Sequence, residues 1–92
     1  MDIINNYSVR SNAEDRQYPN DGLGVICAKC GDRLVNTKSN CNYIARIPIA
    51  LGGKRNTENC IVVCDDCFKS LTEYDGKTIP FSILPFYNRT KA

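Results

Sequence analysis

Histidine is absent from all 92 residues of this chain, and so is tryptophan. Without an imidazole, the chain lacks the commonest general base and a common nitrogen ligand for metals. With three phenylalanines and no tryptophan, the core must be thin. A chain this short forms one domain at most, and such a domain often needs a staple. No N-terminal apolar run is long enough for a signal peptide, and no stretch is long enough to span a bilayer. The expectation is therefore an intracellular protein, cytoplasmic or nuclear, with no membrane partner. Strong charge of either sign is also missing. Twelve Lys and Arg against ten Asp and Glu give a formal net charge of +2, which permits a nucleic-acid partner without requiring one. No internal repeat or low-complexity tract is present.

Cysteine is what the chain does have. Four of its six cysteines form two Cys-x-x-Cys pairs, Cys27/Cys30 and Cys64/Cys67. Two such pairs, well separated in a short chain, point to a four-thiolate zinc site. Four thiolates close the coordination sphere, so the metal is expected to be structural and to contribute directly to folding. The competing arrangement is a secreted domain with three disulfides. Reducing compartments and Cys-x-x-Cys spacing favour zinc, and Asn6-Tyr7-Ser8 and Asn88-Arg89-Thr90, which match the glycosylation sequon, read as chance matches in a cytosolic chain. Cys41 and Cys60 read as small buried apolar side chains on two strands. A disulfide between them is open if those strands are neighbours.

The first 24 residues are polar, with no sustained period, and residues 11–22 read as a loop. Ile3, Ile4, Tyr7 and Val9 are candidates for a short edge strand or for docking onto the domain. Val25-Ile26 leads into the first cysteine pair, and Gly31 follows it where the chain must turn back. Residues 33–36 are the expected returning strand, and 36–40 a polar turn. Residues 41–47 are rich in β-formers and end at Pro48. Residues 50–58 read as a loop containing Gly52-Gly53, and residues 59–63 as a short buried strand. The second cysteine pair opens a helix, with Asp65 and Asp66 suited to its cap or first turn. Cys67, Phe68, Leu71 and Tyr74 share one helical face, and Gly76 is a stop. Residues 79–87 carry two prolines and several large apolar side chains, and read as an extended segment packed on the domain. A cysteine turn plus a helix N-terminus around one zinc is the treble-clef arrangement. The two strands and the helix form its ββα-metal part.

The stretch from Ile44 to Cys67 resembles the HNH endonuclease family. The family pattern is roughly Asp/His-His-x-x-Pro, then Gly-Gly, then Asn, then Cys-x-x-Cys, with an earlier Cys-x-x-Cys completing the zinc site. Pro48, Gly52, Gly53, Asn59 and the four paired cysteines fall in that register. Counting the first pair, the resemblance covers about half the chain. It implies a zinc-stapled fold, DNA as substrate, and a catalytic magnesium or manganese ion in active members.

The departures all fall in the catalytic apparatus. Ala45 occupies the position of the family's general-base histidine, and a methyl group accepts no proton. Ile44 stands where a second ligand for the catalytic cation is usual, and Phe68 where a final His or Asn often serves. A hard cation needs oxygen or nitrogen donors, and neither side chain offers one. Asn59 alone remains of the His-Asn-His set. The resemblance gives it an orienting role, tying strand to loop. Two origins fit: a natural degenerate HNH domain, or a nuclease whose histidine was replaced by alanine. A single replacement would account for Ala45 but not for Ile44 or Phe68. By itself, Phe68 reads as a core residue of the helix face.

Lys29, Arg33, Lys38, Arg46, Lys54 and Arg55 are either a solvated surface or phosphate contacts. Arg46, Lys54 and Arg55 are the nucleic-acid candidates, being beside position 45 or in the loop after Gly-Gly. Asp65, Asp66 and Glu73 are more simply explained by helix capping than by a metal. The expectation is thus a small α+β domain, a zinc-stapled treble clef of HNH type over residues 25–76. It carries an irregular N-terminal extension (1–24) and an extended C-terminal segment (77–92). It should bind DNA without cutting it. The alternative is a non-enzymatic zinc module, an adaptor or inhibitor that contacts a protein through residues 79–87. An exposed patch there would favour that alternative.

Overall fold

Two short strands frame the molecule. In the computed structural model, which describes residues 1–17, 24–34 and 41–88, strand β1 (Asn42–Ala45) pairs antiparallel with β2 (Cys60–Val63). The expected turn over 36–40, Lys38, residues 35–36 of the expected returning strand, residues 18–22 of the expected loop, and residues 89–92 of the C-terminal segment, with Arg89 and Thr90 of the second sequon, lie outside the described residues. The register sets Asn42 opposite Val63 and Ala45 opposite Cys60. All four β2 residues are buried. Ile61, Val62 and Val63 supply the β-branched side chains that suit a strand covered on both faces.

Neither edge of this sheet is open. On the β1 side, Ile3 bridges to Ile44, and two main-chain bonds flank it: Ile4 N donates to Tyr43 O at 2.9 Å and Ala45 N to Asp2 O at 3.0 Å. Ile4 is fully buried, whereas Tyr7 is 83% exposed. The N-terminal residues thus form the expected edge segment, but Tyr7 takes no part in docking.

The expectation of a loop from residue 11 onward is corrected by helix α1 (Tyr7–Arg16). Asn6 caps it, accepting from Val9 N at 3.0 Å through its side chain, which satisfies one of the first-turn donors. Only Ala13 of the helix is buried, so no apolar stripe announces it. Polar side chains hold it instead. The Arg16 guanidinium lies 4.0 Å from the Tyr87 ring centroid and donates to three carbonyls: Tyr87 O at 3.2 Å, Thr57 O at 2.6 Å, and Cys60 O. Burial lowers the pKa of Arg16, and the charges of neighbouring groups only partly restore it. On the other side of the helix, Tyr43 donates its hydroxyl to Glu14, and Arg10 covers the Tyr43 ring at 4.4 Å.

The β1–β2 connection contains two 3₁₀ turns, Ile49–Leu51 and Thr57–Asn59, where a plain loop was expected. Gly53 sits in a close approach. A Cβ there would stand 1.9 Å from Ile47 O and 2.9 Å from Asn59 Nδ2. Helix α2 (Asp65–Ser70) is short and passes into a 3₁₀ segment, Leu71–Tyr74, with Gly76 at φ +78° beyond it. Cys67 and Leu71 are buried, and Phe68 and Tyr74 pack against the same cluster. The C-terminal residues are less extended than expected, with a 3₁₀ turn at Phe81–Ile83. Ile79 and Leu84 are buried in the core, which brings the segment onto the body of the domain.

Gly53→Ala should lower stability by at least about 1–3 kcal/mol, the usual cost of forcing atoms into filled space. Urea unfolding measures it, and a wild-type midpoint would contradict the close packing of Gly53 on Ile47.

Candidate metal centre

Each cysteine pair is delivered by a different piece of local structure. The first lies in a tight hairpin. Ile26 bridges to Arg33, Leu34 N donates to Val25 O at 2.8 Å, and Cys27 N donates to Asp32 O at 2.9 Å. Gly31 closes the turn at φ +76°, and its face is covered by Phe86, whose ring carbons would lie 2.7 Å from any Cβ added there. A glycine is required on both counts. The second pair follows β2. Cys64 is the N-cap of α2, and its Sγ accepts from Cys67 N at 3.4 Å. Asp65 and Asp66 occupy the first turn, as expected, and Asp65 also accepts from Asn42 Nδ2 at 2.8 Å.

The two pieces meet. Ala28 N donates to Val62 O at 3.0 Å, and Cys64 N to Cys27 Sγ at 3.4 Å. The sulfurs of Cys27, Cys30, Cys64 and Cys67 lie within 4.8 Å of one another. Cys30 Sγ and Cys64 Sγ are 3.8 Å apart. A tetrahedral zinc with bonds of about 2.3 Å requires sulfur separations of about 3.8 Å, so the donor set and its spacing fit zinc.

The electrostatics fit as well. Main-chain N–H groups point at the sulfurs: Lys29 N at Cys27 Sγ and Asp32 N at Cys30 Sγ, both at 3.4 Å. Burial opposes ionisation of Cys27, yet the backbone donors of Cys30, Cys64 and Lys29 outweigh it and hold the thiol below its ordinary value. Burial pushes Cys30 up to about 11. Burial, with help from the neighbouring thiols, also raises Cys67. Four thiolates packed this closely repel one another. A dication at their centre removes that cost and releases the remaining protons.

Cys41 and Cys60 do not join this cluster. Cys60 pairs with Ala45, whereas Cys41 precedes Asn42 at the opposite end of the ladder. At about 3.3 Å per residue, the two lie too far apart for a disulfide, which needs Cα atoms within about 7 Å. All six cysteines are free thiols. Cys60 is fully buried, as expected, and burial pushes its thiol up to about 11. Cys41 is only half-buried and lies just outside the strand.

The positions compared with nuclease catalysis form a separate region. Ala45 and Ile44 are buried at the end of β1, and Phe68 packs against the core from α2. Ala45 lines a cavity of about 210 Å³ together with Asp2, Pro48, Ala50, Tyr74 and Asp75. Asn59 is buried and ties the strand end to the loop. Its Oδ1 accepts from Ile47 N at 2.8 Å, and its Nδ2 donates to Ile47 O and to Lys54 O, each at 2.9 Å.

The three basic candidates diverge. Arg46 and Lys54 line a groove of about 400 Å³ with Gly53, Glu58, Phe81 and Tyr87. Arg46 is partly committed there, donating to Ile79 O at 2.9 Å and lying 3.8 Å from the Phe81 ring centroid. Arg55 lies outside the groove lining and donates to Ile3 O at 2.9 Å. Sequence reasoning missed Arg16 and Gln17, the polar side chains that lock the end of α1 to β2, to the first cysteine hairpin and to Tyr87. The one local signal is Asn6, a good cap placed before a stretch without Gly or Pro.

Comparison with family models, curated proteins and solved structures found no match for this chain.

Zinc bound to a four-thiolate site contributes about 10–16 kcal/mol, as much as the whole stability of a typical domain, about 5–15 kcal/mol. Purified protein should hold one zinc per chain by elemental analysis, and chelation should abolish its folded circular-dichroism signal. Before chelation, iodoacetamide should modify Cys41 first, though slowly because burial raises its thiol pKa, and leave Cys60 and the four clustered cysteines protected. Fast modification of all six in the untreated protein would contradict the metal centre.

Proposed function

We propose that this chain is a treble-clef domain of HNH type, stapled by one structural zinc, that binds DNA and does not cut it. One observation carries the reading. A cysteine hairpin, a β1–β2 pair whose connection is tied by Asn59, and a cysteine-capped helix follow one another in order, and the four sulfurs meet. Cys27, Cys30, Cys64 and Cys67 hold the metal. Four thiolates leave no position for water, so zinc supplies cohesion rather than chemistry.

Hydrolysis of a phosphodiester by this family's route needs a base to take a proton from water and oxygen or nitrogen donors for a catalytic magnesium or manganese ion. Ala45, Ile44 and Phe68 offer hydrocarbon at those positions. Binding needs less. Lys54 is exposed at the groove it shares with Arg46, Glu58 and Phe81, and two cations against one carboxylate leave a net positive charge that attracts phosphates without reading sequence. Lys54 is the leading contact, because the Arg46 guanidinium already serves Ile79 O and the Phe81 ring. Arg55, bonded to Ile3 O, is the weakest of the three candidates. The alternative of a protein-docking segment over residues 79–87 draws on Phe81, which is 51% exposed. The burial of Ile79 and Leu84 counts against it.

Binding to duplex or branched DNA should weaken with salt, each phosphate contact adding about −0.9 to the slope of log K against log salt. Lys54→Gln should reduce that slope by about one. Fluorescence anisotropy across a salt series measures both, and absence of binding at low salt refutes the DNA reading.

Supercoiled plasmid should remain intact with this protein in magnesium or manganese. Ala45→His is the sharper assay. Nicking gained by that variant supports the HNH assignment, and robust nicking by the unaltered chain overturns the inactive-site reading.

A further inference from the structure

Gln17, the only glutamine in the sequence, is fully buried, and it lies between the two pieces of chain that carry the clustered cysteines. Its side chain donates from Nε2 to Ile26 O and to Val62 O, each at 2.8 Å, and accepts at Oε1 from Val62 N at 3.0 Å. Its own carbonyl accepts from Ile26 N at 3.2 Å. One residue therefore satisfies both main-chain polar groups of Ile26 and both of Val62. Ile26 directly precedes Cys27. Val62 stands two residues before Cys64, the cap of α2.

A single carboxamide substitutes here for a missing strand. It bonds the hairpin of the first cysteine pair to the free edge of β2, alongside the direct bond from Ala28 N to Val62 O. The glutamine side chain spans the gap between Ile26 and Val62, and the Ala28–Val62 bond holds the same two segments next to it. Among the ligands themselves, one long bond to sulfur joins the two segments, from Cys64 N to Cys27 Sγ at 3.4 Å.

We propose that Gln17 is a positioning residue for the metal centre. It fixes the spacing between the Cys27/Cys30 hairpin and the Cys64/Cys67 helix terminus before metal arrives, so that the four sulfurs need little rearrangement to close on zinc. This inference rests on the zinc reading above. It differs from an ordinary core role, because its loss weakens metal affinity beyond what lost stability alone produces. Groups hydrogen-bonded to metal ligands are worth about 10- to 100-fold in affinity, and Gln17, acting one step further out through the main chain of Ile26 and Val62, is expected at the lower end of that range.

Gln17→Met keeps the length and volume of the side chain and removes all three of its hydrogen bonds. It is compared with a core substitution adjusted to equal loss of stability by urea unfolding, Ile79→Val or Leu84→Ala, both remote in sequence from the cysteine pairs. Competition with a chromophoric chelator gives zinc affinity. The visible absorption of the cobalt(II)-substituted protein reports the geometry of the four sulfurs. The expected result is an affinity at least about tenfold below that of the matched control and an altered cobalt spectrum, with the control retaining the wild-type spectrum. Equal affinity and an unchanged spectrum in both variants overturn the proposal.

If Gln17→Met does not fold, hydrogen exchange in the zinc-loaded wild type decides. The Gln17 Nε2 protons should exchange as slowly as the Val62 amide, and exchange at the rate of a free carboxamide overturns the role. A wild-type chain that binds neither zinc nor cobalt refutes the zinc reading itself, a result separable from both outcomes for Gln17.

Discussion

The meeting of four sulfurs within 4.8 Å is the constraint on which the rest depends. The strands are four residues each and the second helix six, all below the length at which such elements hold themselves in water. Each gains its stability from the others. The hairpin of Cys27 and Cys30 is held by main-chain bonds and by Phe86 over Gly31. The short α2 is capped by Cys64 and anchored by Cys67 and Leu71. A metal that joins these two pieces converts several marginal contacts into one cooperative unit.

Around that centre, the protein relies on polar side chains to an unusual degree for so small a core. Arg16 spends its guanidinium on three carbonyl oxygens and one aromatic face, linking α1, the start of β2 and Tyr87. Gln17 occupies the core itself. Asn59 closes the β1–β2 connection in the same manner, with three side-chain bonds to Ile47 and Lys54. Such groups contribute modestly when bonded and are costly to strand. They therefore specify one arrangement more strongly than apolar side chains of equal volume would.

This reliance explains what could be read from the sequence. The cysteine spacing announced the cluster, and the β-branched run of Ile61, Val62 and Val63 announced β2, because metal ligation and burial both leave regular patterns. The close approach at Gly53 and the acidic first turn of α2 were also foreshadowed by residue type, whereas the cap itself is Cys64. Helix α1 was not, because only Ala13 is buried and the remaining anchors are an arginine and a glutamine that resemble surface residues in isolation. Their partners are mostly carbonyls 41 to 71 residues away in the chain for Arg16, and 45 for the Gln17 bond to Val62. No local pattern encodes such bonds. Ala45, Ile44 and Phe68 were legible as apolar side chains without donor atoms, and the structure adds that all three pack into or against the core.

The covering of both sheet edges has a bearing on how this protein fails. β2 presents Cys60-Ile61-Val62-Val63, four buried residues without a charge or a proline among them, and one of its edges is covered by the Gln17 carboxamide and Ala28. When the two cysteine-bearing segments part, that edge loses its cover while β1 still pairs with the other. A short, uncharged, β-branched strand with unpaired main-chain groups is a template for adding a strand from a second molecule. With zinc at the four sulfurs, as proposed, metal status would become a determinant of self-association as well as of folding. Insolubility arising from the strand at the centre of the native sheet would then be the expected mark of zinc loss.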